Sequence, residues 1–321
     1  MLAVTATSQS ATAPLTGLTI GAHPDPAPPE GWTTVRLRAA ALNHHDLWSL
    51  RGVGLPADRL PMVLGCDGAG IDEDGREVIV HAVVADAQKF PDETLDPKRN
   101  LLSELHDGTL AELVCVPRRN LVAKPAALSW PEAACLPTAW LTAYRMLFTK
   151  AALPGPGTVL IQGSGGGVAT AALLLAKAAG HTVFVTSRDE AKRERALALG
   201  ADVAVAAGER LPQRVDAVIE TVGEATWAHS LKSLRPGGTL VVCGATSGAN
   251  PPADLNRVFF LQLSVLGSTM GTLAELSDLV AFCERTGVRP LVDSVLGLDQ
   301  AYDAFAQLES GNTFGKIVLT V

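Results

Sequence analysis

A glycine-rich segment, 163–168 (GSGGGV), is the clearest chemical signal in this chain of 321 residues. It follows the apolar run TVLIQ and precedes a stretch rich in alanine and leucine that ends at Gly180. Glycines permit a tight turn and let backbone N–H groups approach a pyrophosphate, whose charge then lies at the positive end of a helix dipole. The pattern is not a strict G-x-G-x-x-G because Ala169 takes the last place, which the fingerprint allows. This context predicts a dinucleotide site, with a flexible connection as the alternative, formed by Ser164, Gly165, Gly166, Gly167 and Val168.

The end of the next apolar run, HTVFV, indicates which dinucleotide is bound. An NAD site usually has an Asp or Glu there that accepts hydrogen bonds from the ribose 2′-hydroxyl, but this run continues into Thr-Ser-Arg. Hydroxyls and a guanidinium suit a 2′-phosphate, because charge-assisted hydrogen bonds favour that group. In the alternative, Arg188 and Lys192 form a solvated helix start, and Asp189 or Glu190 binds the ribose. The first interpretation predicts NADPH as the cofactor, held by Thr186, Ser187, Arg188 and Lys192.

The elements that must position these loops change in character near Leu153. Before it, short β-like runs at 33–42, 76–84 and 111–125 alternate with turns rich in Gly, Pro and Asp, which is typical of a small, mainly β domain. After it, apolar runs alternate with helical patterns, which indicates an α/β domain with a doubly wound parallel sheet. The closing segment, 291–321, predicts a strand, an amphipathic helix, a loop and a strand that return to complete the first domain.

Composition and charge narrow the class of partner. Hydrophobic residues make up 47% of the chain and charged residues 18%, which excludes a disordered protein. The net charge of -7 lacks the positive field that attracts nucleic acid or anionic lipid, so we expect small-molecule partners, no nucleic acid and no membrane. Five separated cysteines without a Cys-x-x-Cys pair indicate no disulfide framework. The N-terminus lacks the features of a signal peptide, which predicts a cytoplasmic location.

Further motifs occur in order around the glycine loop. They are NHHDL (43–47), PMVLGCDGAG (61–70), DGTLAE (107–112), LPTAWLTAY (136–144) and GKIV (315–318). With these motifs, the chain from about Gly31 onwards resembles the medium-chain dehydrogenase/reductase superfamily, particularly its quinone-oxidoreductase-like branch. Several ordered motifs at compatible spacing are far more specific than a single glycine loop.

The resemblance implies a GroES-like, mainly β catalytic domain interrupted by a Rossmann domain. We therefore assign residues 1–124 and 275–321 to the GroES-like domain, and residues 125–274 to the Rossmann domain. Members of this superfamily are usually dimers or tetramers, and the run LSVLGSTMG (263–271) would form an edge strand of the Rossmann sheet. Such an edge is protected when a partner pairs with it, so a homodimer is expected.

The chain departs from the zinc-containing members at their ligand positions. Those members have Cys at the position of Asn43 and His at the position of Cys66. They have Cys or Asp at the position of Thr138, whereas Asp67 keeps the usual acidic character. Because a catalytic zinc needs three ligands among thiolate, imidazole and carboxylate, no metal is expected. The stretch 86–108, which would carry four cysteines for a structural zinc, contains none. A site formed by Cys66, Asp67 and a nearby His is the alternative.

The NHHDL motif and Thr142 are the candidates for catalysis. By resemblance, His45 matches a Ser/Thr proton-relay position, His44 a position that contacts the cofactor pyrophosphate, and Thr142 would lie beneath the nicotinamide. Asn43 is assigned with them to the catalytic set. An imidazole that titrates near neutrality can donate the proton that follows hydride transfer to an enone or quinone. Loop packing for the histidines, and a hydrogen bond from Thr142 to its own helix for the threonine, are the alternatives. Asp46 would orient His45 or, as we favour, cap the following helical turn.

The remaining candidates lie where later apolar runs end. Ligands of open α/β sheets bind at the carboxyl ends of the strands. We expect core packing, not nucleophilic chemistry, for the thiol in this set. The residues assigned to cofactor binding on this ground are Thr221, Val222, Cys243, Gly244, Ala245, Ser268 and Thr269.

Together these observations predict an NADPH-dependent reductase without zinc that transfers a hydride to a quinone or to an activated C=C bond. One alternative is an alcohol dehydrogenase or ketone reductase, which the missing zinc ligands disfavour because little else would polarise a carbonyl. The other is a cofactor-binding protein with little turnover, which the fold does not exclude.

Overall fold

The computed structural model describes residues 1–321, which form two compact units. One unit comprises residues 1–139 and 271–321, and the other comprises residues 140–270. These boundaries differ from the expected ones at 124/125 and 274/275. The segment after residue 124 stays with the first unit because its helix Trp130–Ala134 packs against five strands of that unit.

Eighteen strands are distributed over both units. They are β1 (Leu2–Ala6), β2 (Leu18–Ala22), β3 (Trp32–Ala41), β4 (Met62–Val63), β5 (Asp67–Asp72), β6 (Glu77–Val80), β7 (Val83–Val84), β8 (Asn100–Leu101), β9 (Leu113–Pro117), β10 (Leu121–Ala123), β11 (Thr158–Ile161), β12 (Thr182–Ser187), β13 (Val203–Ala206), β14 (Val215–Glu220), β15 (Leu234–Val242), β16 (Ser264–Gly267), β17 (Val292–Gly297) and β18 (Lys316–Thr320).

Nine α-helices accompany the strands, and turns of π-helix (Leu136–Trp140 and Arg145–Ala151) flank the third of them. None of the helices combines the length and the apolar composition that a membrane crossing requires. The helices are α1 (His44–Leu50), α2 (Trp130–Ala134), α3 (Leu141–Tyr144), α4 (Gly167–Ala178), α5 (Glu190–Ala198), α6 (Glu224–Ser233), α7 (Leu255–Phe260), α8 (Leu273–Thr286) and α9 (Ala301–Ser310).

The first unit is built on a seven-stranded sheet with the order β10-β6-β5-β3-β18-β17, in which β9 also pairs with β3. Much of β3 alternates buried and less buried residues, as expected for a strand with one face on the core. β18 pairs antiparallel with β3 and parallel with β17. The C-terminal segment therefore returns to complete this unit, as the sequence predicts. Fully buried Phe305 of α9 lies in the core formed with α1.

The second unit contains a six-stranded sheet with the order β13-β12-β11-β14-β15-β16, and all neighbouring strands are parallel. When these strands are numbered from the start of the unit, the order is 3-2-1-4-5-6, which is that of dinucleotide-binding folds. All four residues of β11 are buried, because helices cover a parallel sheet. The predicted doubly wound α/β domain is confirmed, and β16 is the predicted edge strand.

The cysteine-free segment 86–108 is anchored to the first unit through Glu93, which is almost fully buried. The Glu93 carboxylate bonds with the His81 ring at 3.0 Å, with Arg119 at 2.7 Å and with the backbone N–H of Leu273. Burial opposes the charge, but these hydrogen bonds outweigh it and lower the pKa of Glu93 to about 2. A charged network therefore fixes a segment that has no thiolates to bind a metal.

Candidate functional site

The start of α1 positions both histidines of the NHHDL motif. Asp46 accepts hydrogen bonds from the backbone N–H of Asn43 at 2.8 Å and from the backbone N–H of Gly65 at 3.1 Å. These bonds satisfy an amide at the helix start and tie α1 to the loop before β5. Asp46 is the third residue of α1, so it closes the helix start by bonding back to the N-cap Asn43, and it does not cap the turn that follows it as the sequence favoured. Burial raises the pKa of Asp46 to about 6, against the opposing effects of His45 and of the Asn43 amide.

His45 contacts a different side chain through each ring nitrogen. Its Nε2 lies 3.1 Å from Oε1 of Glu104, and its Nδ1 lies 3.4 Å from Sγ of Cys66. The Cys66 thiol is fully buried and donates to the carbonyl of Leu102 at 3.2 Å. The side chains of His45 and Glu104 are each 20% exposed. The solvent-accessible side of the imidazole is therefore the side that faces Glu104.

The surroundings change the protonation of this group of side chains. Burial lowers the pKa of His45, but Cys66, the hydrogen bond to Glu104 and the charge of Asp46 outweigh burial and raise it well above 6.5. Burial raises the pKa of the Cys66 thiol, and the charge of His45 and its hydrogen bond oppose this effect. The sequence argument assumed an ordinary imidazole, whereas these surroundings raise the pKa of His45 above its usual value.

A buried ammonium group lies among the residues at the expected zinc-ligand positions. Nζ of Lys316, on β18, donates to Oδ1 of Asn43 at 2.6 Å and to Oδ2 of Asp67 at 2.9 Å. Its third hydrogen bond goes to the carbonyl of Leu42 at 2.7 Å. Lys316 and Asp67 are 3% and 0% exposed, so the pair is removed from water. Each ammonium proton thus has an oxygen acceptor.

The zinc that the superfamily implies does not fit these residues. The oxygens of Asn43 and Asp67 already bind the Lys316 ammonium, and a divalent cation beside that charge would be repelled. His45, Asp46 and Cys66 hold potential ligand atoms within 4.8 Å of one another. However, Asp46 accepts backbone N–H groups, and both ring nitrogens of His45 have partners. The alternative site with Cys66 and Asp67 is therefore not assembled, because Asp67 binds Lys316 instead.

His44 and Thr142, the other two candidates, lie in different units. His44 is exposed on α1, yet partial desolvation, Lys316 and Arg51 together lower its pKa below 6.5. A neutral His44 could offer a pyrophosphate an N–H group, but not a charge. Thr142 lies on α3 of the second unit and is 6% exposed.

In the second unit, the glycine loop has the geometry of an anion site. Gly163 and Gly165 adopt positive φ angles of 80° and 94°, which side chains disfavour. Gly166 is the N-cap of α4 without a side-chain cap, and no atom lies within 4 Å of where its Cβ would be. The Ser164 hydroxyl is buried without a hydrogen-bond partner. Free N–H groups at a helix start and an unsatisfied hydroxyl fit a dinucleotide pyrophosphate, with Gly167 and Val168 as the first residues of α4.

The end of β12 differs in part from expectation. The Thr186 hydroxyl donates to Gln162 Oε1 at 2.7 Å and accepts from the Gly163 N–H at 3.2 Å. Thr186 therefore supports the glycine loop. Asp189, the alternative ribose ligand, caps α5 by accepting from the N–H of Lys192 at 3.2 Å. Arg188 is exposed beside this cap.

The hydroxyl of Ser187 is also engaged locally. It accepts from the N–H of Asp189 at 3.2 Å, while the guanidinium of Arg193 donates to the Ser187 carbonyl at 2.9 Å. Arg193 was not singled out from the sequence, and it supports the end of β12. Arg188 and Lys192 remain the candidate cations for a 2′-phosphate.

The other candidates follow the ends of β14, β15 and β16, as expected for one edge of a parallel sheet. The Ser268 hydroxyl is buried without a partner, which fits a ligand at this edge. Burial and the nearby Glu220 raise the pKa of Cys243 to about 12, so its thiol is not a nucleophile at neutral pH. The remaining members of the set are Thr221, Val222, Gly244, Ala245 and Thr269.

Three important residues were missed by sequence reasoning. Glu104 and Lys316 reach the site from segments distant in sequence. Glu220, at the end of β14, is fully buried and accepts from the N–H groups of Val222 and Gly223 at 2.8 and 3.0 Å. An acidic residue at the end of an apolar run was a visible signal for Glu220. A lysine directly before an apolar strand, GKIV, was a signal for Lys316, whereas Glu104 had none.

Comparison with known proteins places the chain in a family. The alcohol dehydrogenase GroES-like domain matches residues 29–126, and the zinc-binding dehydrogenase domain matches residues 167–285. A zinc-type alcohol dehydrogenase-like protein of Schizosaccharomyces pombe is 32% identical over 317 residues, which are 91% of this chain and 91% of that protein. The chain belongs to the medium-chain dehydrogenase/reductase superfamily. The resemblance found in the sequence is thereby confirmed.

Members of this superfamily with different activities are similar to the chain. The crystal structure of an NAD-dependent alcohol dehydrogenase has a TM-score of 0.92 and 34% identity, and covers 100% of both chains. A 2-methylene-furan-3-one reductase of Solanum lycopersicum is 30% identical over 300 residues, which are 90% of this chain and 72% of that protein. The family is one of oxidoreductases, and the comparisons include both alcohol dehydrogenases and reductases of conjugated ketones.

We expect Lys316→Met to destabilise the protein strongly, because it leaves the Asp67 carboxylate buried and unpaired. Breaking a buried ion pair costs about 3 to 5 kcal/mol of unfolding free energy. Urea denaturation measures this loss. The double variant Lys316→Met/Asp67→Asn should recover part of it, because no buried charge remains unpaired. As a control, Lys177→Met, which breaks the partly exposed pair with Asp202, should cost less than about 1 kcal/mol. Equal costs for the two single variants would contradict the prediction.

Proposed function

We propose that this protein is an NADPH-dependent reductase that transfers a hydride to a quinone or an α,β-unsaturated carbonyl without zinc. The observation that carries the proposal is the geometry of the site: Lys316 occupies the oxygens of Asn43 and Asp67 at the expected zinc positions, and the imidazole of His45 lies beside Glu104 with a raised pKa. The site thus offers a proton donor in place of a Lewis acid. The similarity to 2-methylene-furan-3-one reductase, an enone reductase by its name, supports this choice of acceptor.

The second unit would bind and orient the cofactor. The N–H groups at the start of α4 and the Ser164 hydroxyl would hold the pyrophosphate, and Arg188 and Lys192 would hold the 2′-phosphate. Thr142 and His44 would contact the nicotinamide and the pyrophosphate, as the resemblance implies. When bound, the nicotinamide supplies a hydride, with its two electrons, to the β carbon of the acceptor.

The first unit would complete the reaction with a proton. Addition of a hydride to an enone leaves an enolate, and reduction of a quinone leaves a phenolate. His45 would donate the proton that neutralises this charge through Nε2, on the solvent-accessible side of the ring, and would give up its hydrogen bond to Glu104 to do so. Asn43 stays bonded to Lys316, so its role is to fix the start of α1 beneath His45.

An alcohol dehydrogenase is the second candidate, favoured by the name of the similar NAD-dependent structure. That activity needs strong polarisation of a carbonyl oxygen, which zinc supplies in metal-containing enzymes. In this chain the Lys316 ammonium already donates to three oxygens and has no proton left for a substrate. The observation therefore favours reduction of a conjugated acceptor.

The decisive experiment follows NADPH absorbance on mixing the purified protein with quinones, enones, ketones and aldehydes. Oxidation of NADPH by quinones or enones alone would support the proposal. Turnover of simple ketones or aldehydes at equal or greater kcat/KM would favour the alcohol dehydrogenase. Tight cofactor binding without turnover of any acceptor would indicate a binding protein.

The first prediction from this proposal concerns the choice of cofactor. Arg188→Ala should weaken NADPH binding and leave NADH binding nearly unchanged, because only NADPH carries the 2′-phosphate. A hydrogen bond to a charged group contributes about 1.5 to 3 kcal/mol, which corresponds to about 10- to 150-fold in Kd. Fluorescence titration measures both constants. Lys232→Ala, which removes an exposed positive charge from α6, should change neither Kd. Equal effects of Arg188→Ala on both cofactors, or tighter binding of NADH by the parent, would contradict the assignment.

The second prediction concerns zinc. Elemental analysis of the purified protein should find far less than one zinc per chain, because Lys316 binds two of the expected donors. Reductase activity should be unchanged after dialysis against a strong chelator. One tightly held zinc per chain, with activity lost on chelation and restored by the metal, would overturn zinc independence.

The third prediction concerns His45. His45→Asn should lower kcat by about 10- to 1,000-fold, because positioned general acids contribute on that order and water replaces them in part. The NADPH Kd should change little, since the residue acts on the acceptor. His44→Ala should do the reverse and weaken cofactor binding with a smaller effect on kcat. An unaltered kcat in His45→Asn would mean that His45 contributes only to packing and not to the proton step.

The fourth prediction concerns the homodimer. All four residues of the edge strand β16 are exposed, and Phe260 of the preceding helix α7 is 80% exposed. An apolar, unpaired strand edge is protected when a second copy pairs with it. Sedimentation should show a dimer for the parent and a monomer for Leu266→Lys. Val295→Lys, which places the same charge on an exposed position of β17, should remain dimeric. A parent monomer at micromolar concentration would refute the dimer.

A further inference from the structure

We propose that Glu220 is a positioning residue for the dinucleotide site, and that a chain of hydrogen bonds connects it to the glycine loop. The proposal rests on the proposed function, because it takes the loops of the second unit to hold a nicotinamide dinucleotide. It requires no choice between NADPH and NADH, and it does not depend on the acceptor. Glu220 is fully buried, so it acts on the loops and not on the ligand itself.

The Glu220 carboxylate is surrounded by hydrogen-bond donors. Its Oε1 accepts from the backbone N–H groups of Val222 and Gly223 at 2.8 and 3.0 Å. The Thr226 hydroxyl lies 2.9 Å from both carboxylate oxygens, and the Ser230 hydroxyl donates to Oε2. These donors fill the positions that an ionised carboxylate offers, and such a group only accepts.

A directed series of bonds leads from the glycine loop to this carboxylate. The N–H of Gly163 donates to the Thr186 hydroxyl at 3.2 Å, and that hydroxyl donates to Oε1 of Gln162 at 2.7 Å. The Gln162 amide donates to the Ser230 hydroxyl at 2.9 Å, and Ser230 donates to Glu220. We call this series the hydrogen-bond chain. Because its last member only accepts, Glu220 sets the direction of every bond in it.

The hydrogen-bond chain runs across the edge of the sheet where the cofactor candidates lie. Thr186 belongs to β12, Gln162 directly follows β11 and Glu220 ends β14, and these three strands are neighbours in the sheet. All three side chains are buried. Since Gly163 has a φ of 80°, the chain fixes a glycine that has many other conformations available. A loop that is ordered before the ligand arrives costs less free energy to bind.

The same carboxylate fixes the loop that follows β14. Glu220 bonds to the N–H groups of Val222 and Gly223, and the carbonyl of Val222 accepts from the N–H and the hydroxyl of Ser247 at 2.8 and 2.7 Å. Gly223 has a φ of 94°, and a Cβ there would lie 2.5 Å from the carbonyl oxygen of Gly248. The loops after β14 and β15 are therefore packed together. Glu220 thus joins this pair of loops to the glycine loop.

The first test uses Glu220→Gln, which keeps the shape of the side chain but replaces one acceptor oxygen with a donor NH₂ group. This group opposes the donors around it and breaks the hydrogen-bond chain. Fluorescence titration should show that the Kd values of NADPH and NADH both rise, by the same factor of about 3- to 10-fold, as for one lost hydrogen bond. Unchanged Kd values would overturn the proposal.

Ser233→Ala is the matched control for a lost hydroxyl on the same helix. Ser233 is buried on α6, like Ser230, but its hydroxyl donates to the carbonyl of His229 at 2.8 Å, within the helix. Ser230→Ala should raise both Kd values, because it removes a member of the hydrogen-bond chain. Ser233→Ala should leave both unchanged. Equal effects of the two variants would overturn the proposal.

The second test uses Thr186, at the other end of the hydrogen-bond chain. Thr186→Val removes the hydroxyl and keeps the shape, so both Kd values should rise equally, whereas Thr186→Ser keeps the hydroxyl and should stay within about twofold of the parent. The double variant Thr186→Val/Glu220→Gln should bind no more weakly than the weaker single variant, because the members act as one unit. A loss confined to NADPH in Thr186→Val, or effects that multiply in the double variant, would overturn the proposal.

Urea denaturation separates positioning from stability alone. Each Kd is measured well below the unfolding transition of its variant, so that every chain is folded. Variants that lose unfolding free energy but keep the Kd values of the parent would overturn the proposal. If Glu220→Gln fails to fold, Ser230→Ala replaces it in the double variant, with the same expected and contrary results.

The two dinucleotides also separate this proposal from the proposed function. Equal shifts of both Kd values support the role of Glu220 even where the parent prefers NADH or reduces no acceptor, results that contradict the proposed function. A parent that reduces enones with NADPH, together with variants whose Kd values are unchanged, overturns the role of Glu220 and leaves the function intact. A parent that binds neither dinucleotide overturns both.

Discussion

The buried ammonium of Lys316 is the interaction on which the first unit and its site depend. One nitrogen joins the start of β18 to the end of β3, through Leu42 and Asn43, and to the start of β5, through Asp67. A buried charge is tolerated only when each of its protons has an acceptor. These oxygens therefore have to meet at one point, and that requirement fixes the C-terminal strand against β3, which precedes the NHHDL motif, and against β5, which follows it.

The positions of His44 and His45 depend on this arrangement. Asn43, bonded to Lys316 through its side chain, is also the residue before α1, and Asp46 ties the first turn of that helix to Gly65. The His45 ring therefore projects from a helix whose start is fixed on two sides. Each ring nitrogen then contacts one side chain, Cys66 or Glu104. These two contacts fix the orientation of the ring.

The sequence predicted the second unit well and the first unit only in part. A glycine loop after an apolar run, alternating periodicities and the edge run at 263–271 depend on local patterns, and the structure confirms all three. The bond by which Asp46 closes the start of α1 is also local. The positions of Glu104 and Lys316 depend on contacts over dozens to hundreds of residues, which no local pattern carries. The contacts of the Thr186 hydroxyl with Gln162 and Gly163 also join separate segments, and the sequence did not predict them.

In the proposed function, two side-chain cations, Lys316 and His45, replace a metal ion, and this arrangement suits a particular acceptor. A zinc ion stabilises an alkoxide by binding its oxygen, so it assists hydride addition to an unconjugated carbonyl. After hydride addition to an enone, the negative charge is instead spread over oxygen and carbon, and the remaining need is for a proton. An imidazolium meets that need, and it stays charged only where acceptors surround it. In this chain Lys316 satisfies the oxygens that a metal would bind, and Cys66 and Glu104 satisfy the ring, so the two cations do separate tasks. The ammonium fixes the fold, and in the proposed function the imidazolium would protonate the product.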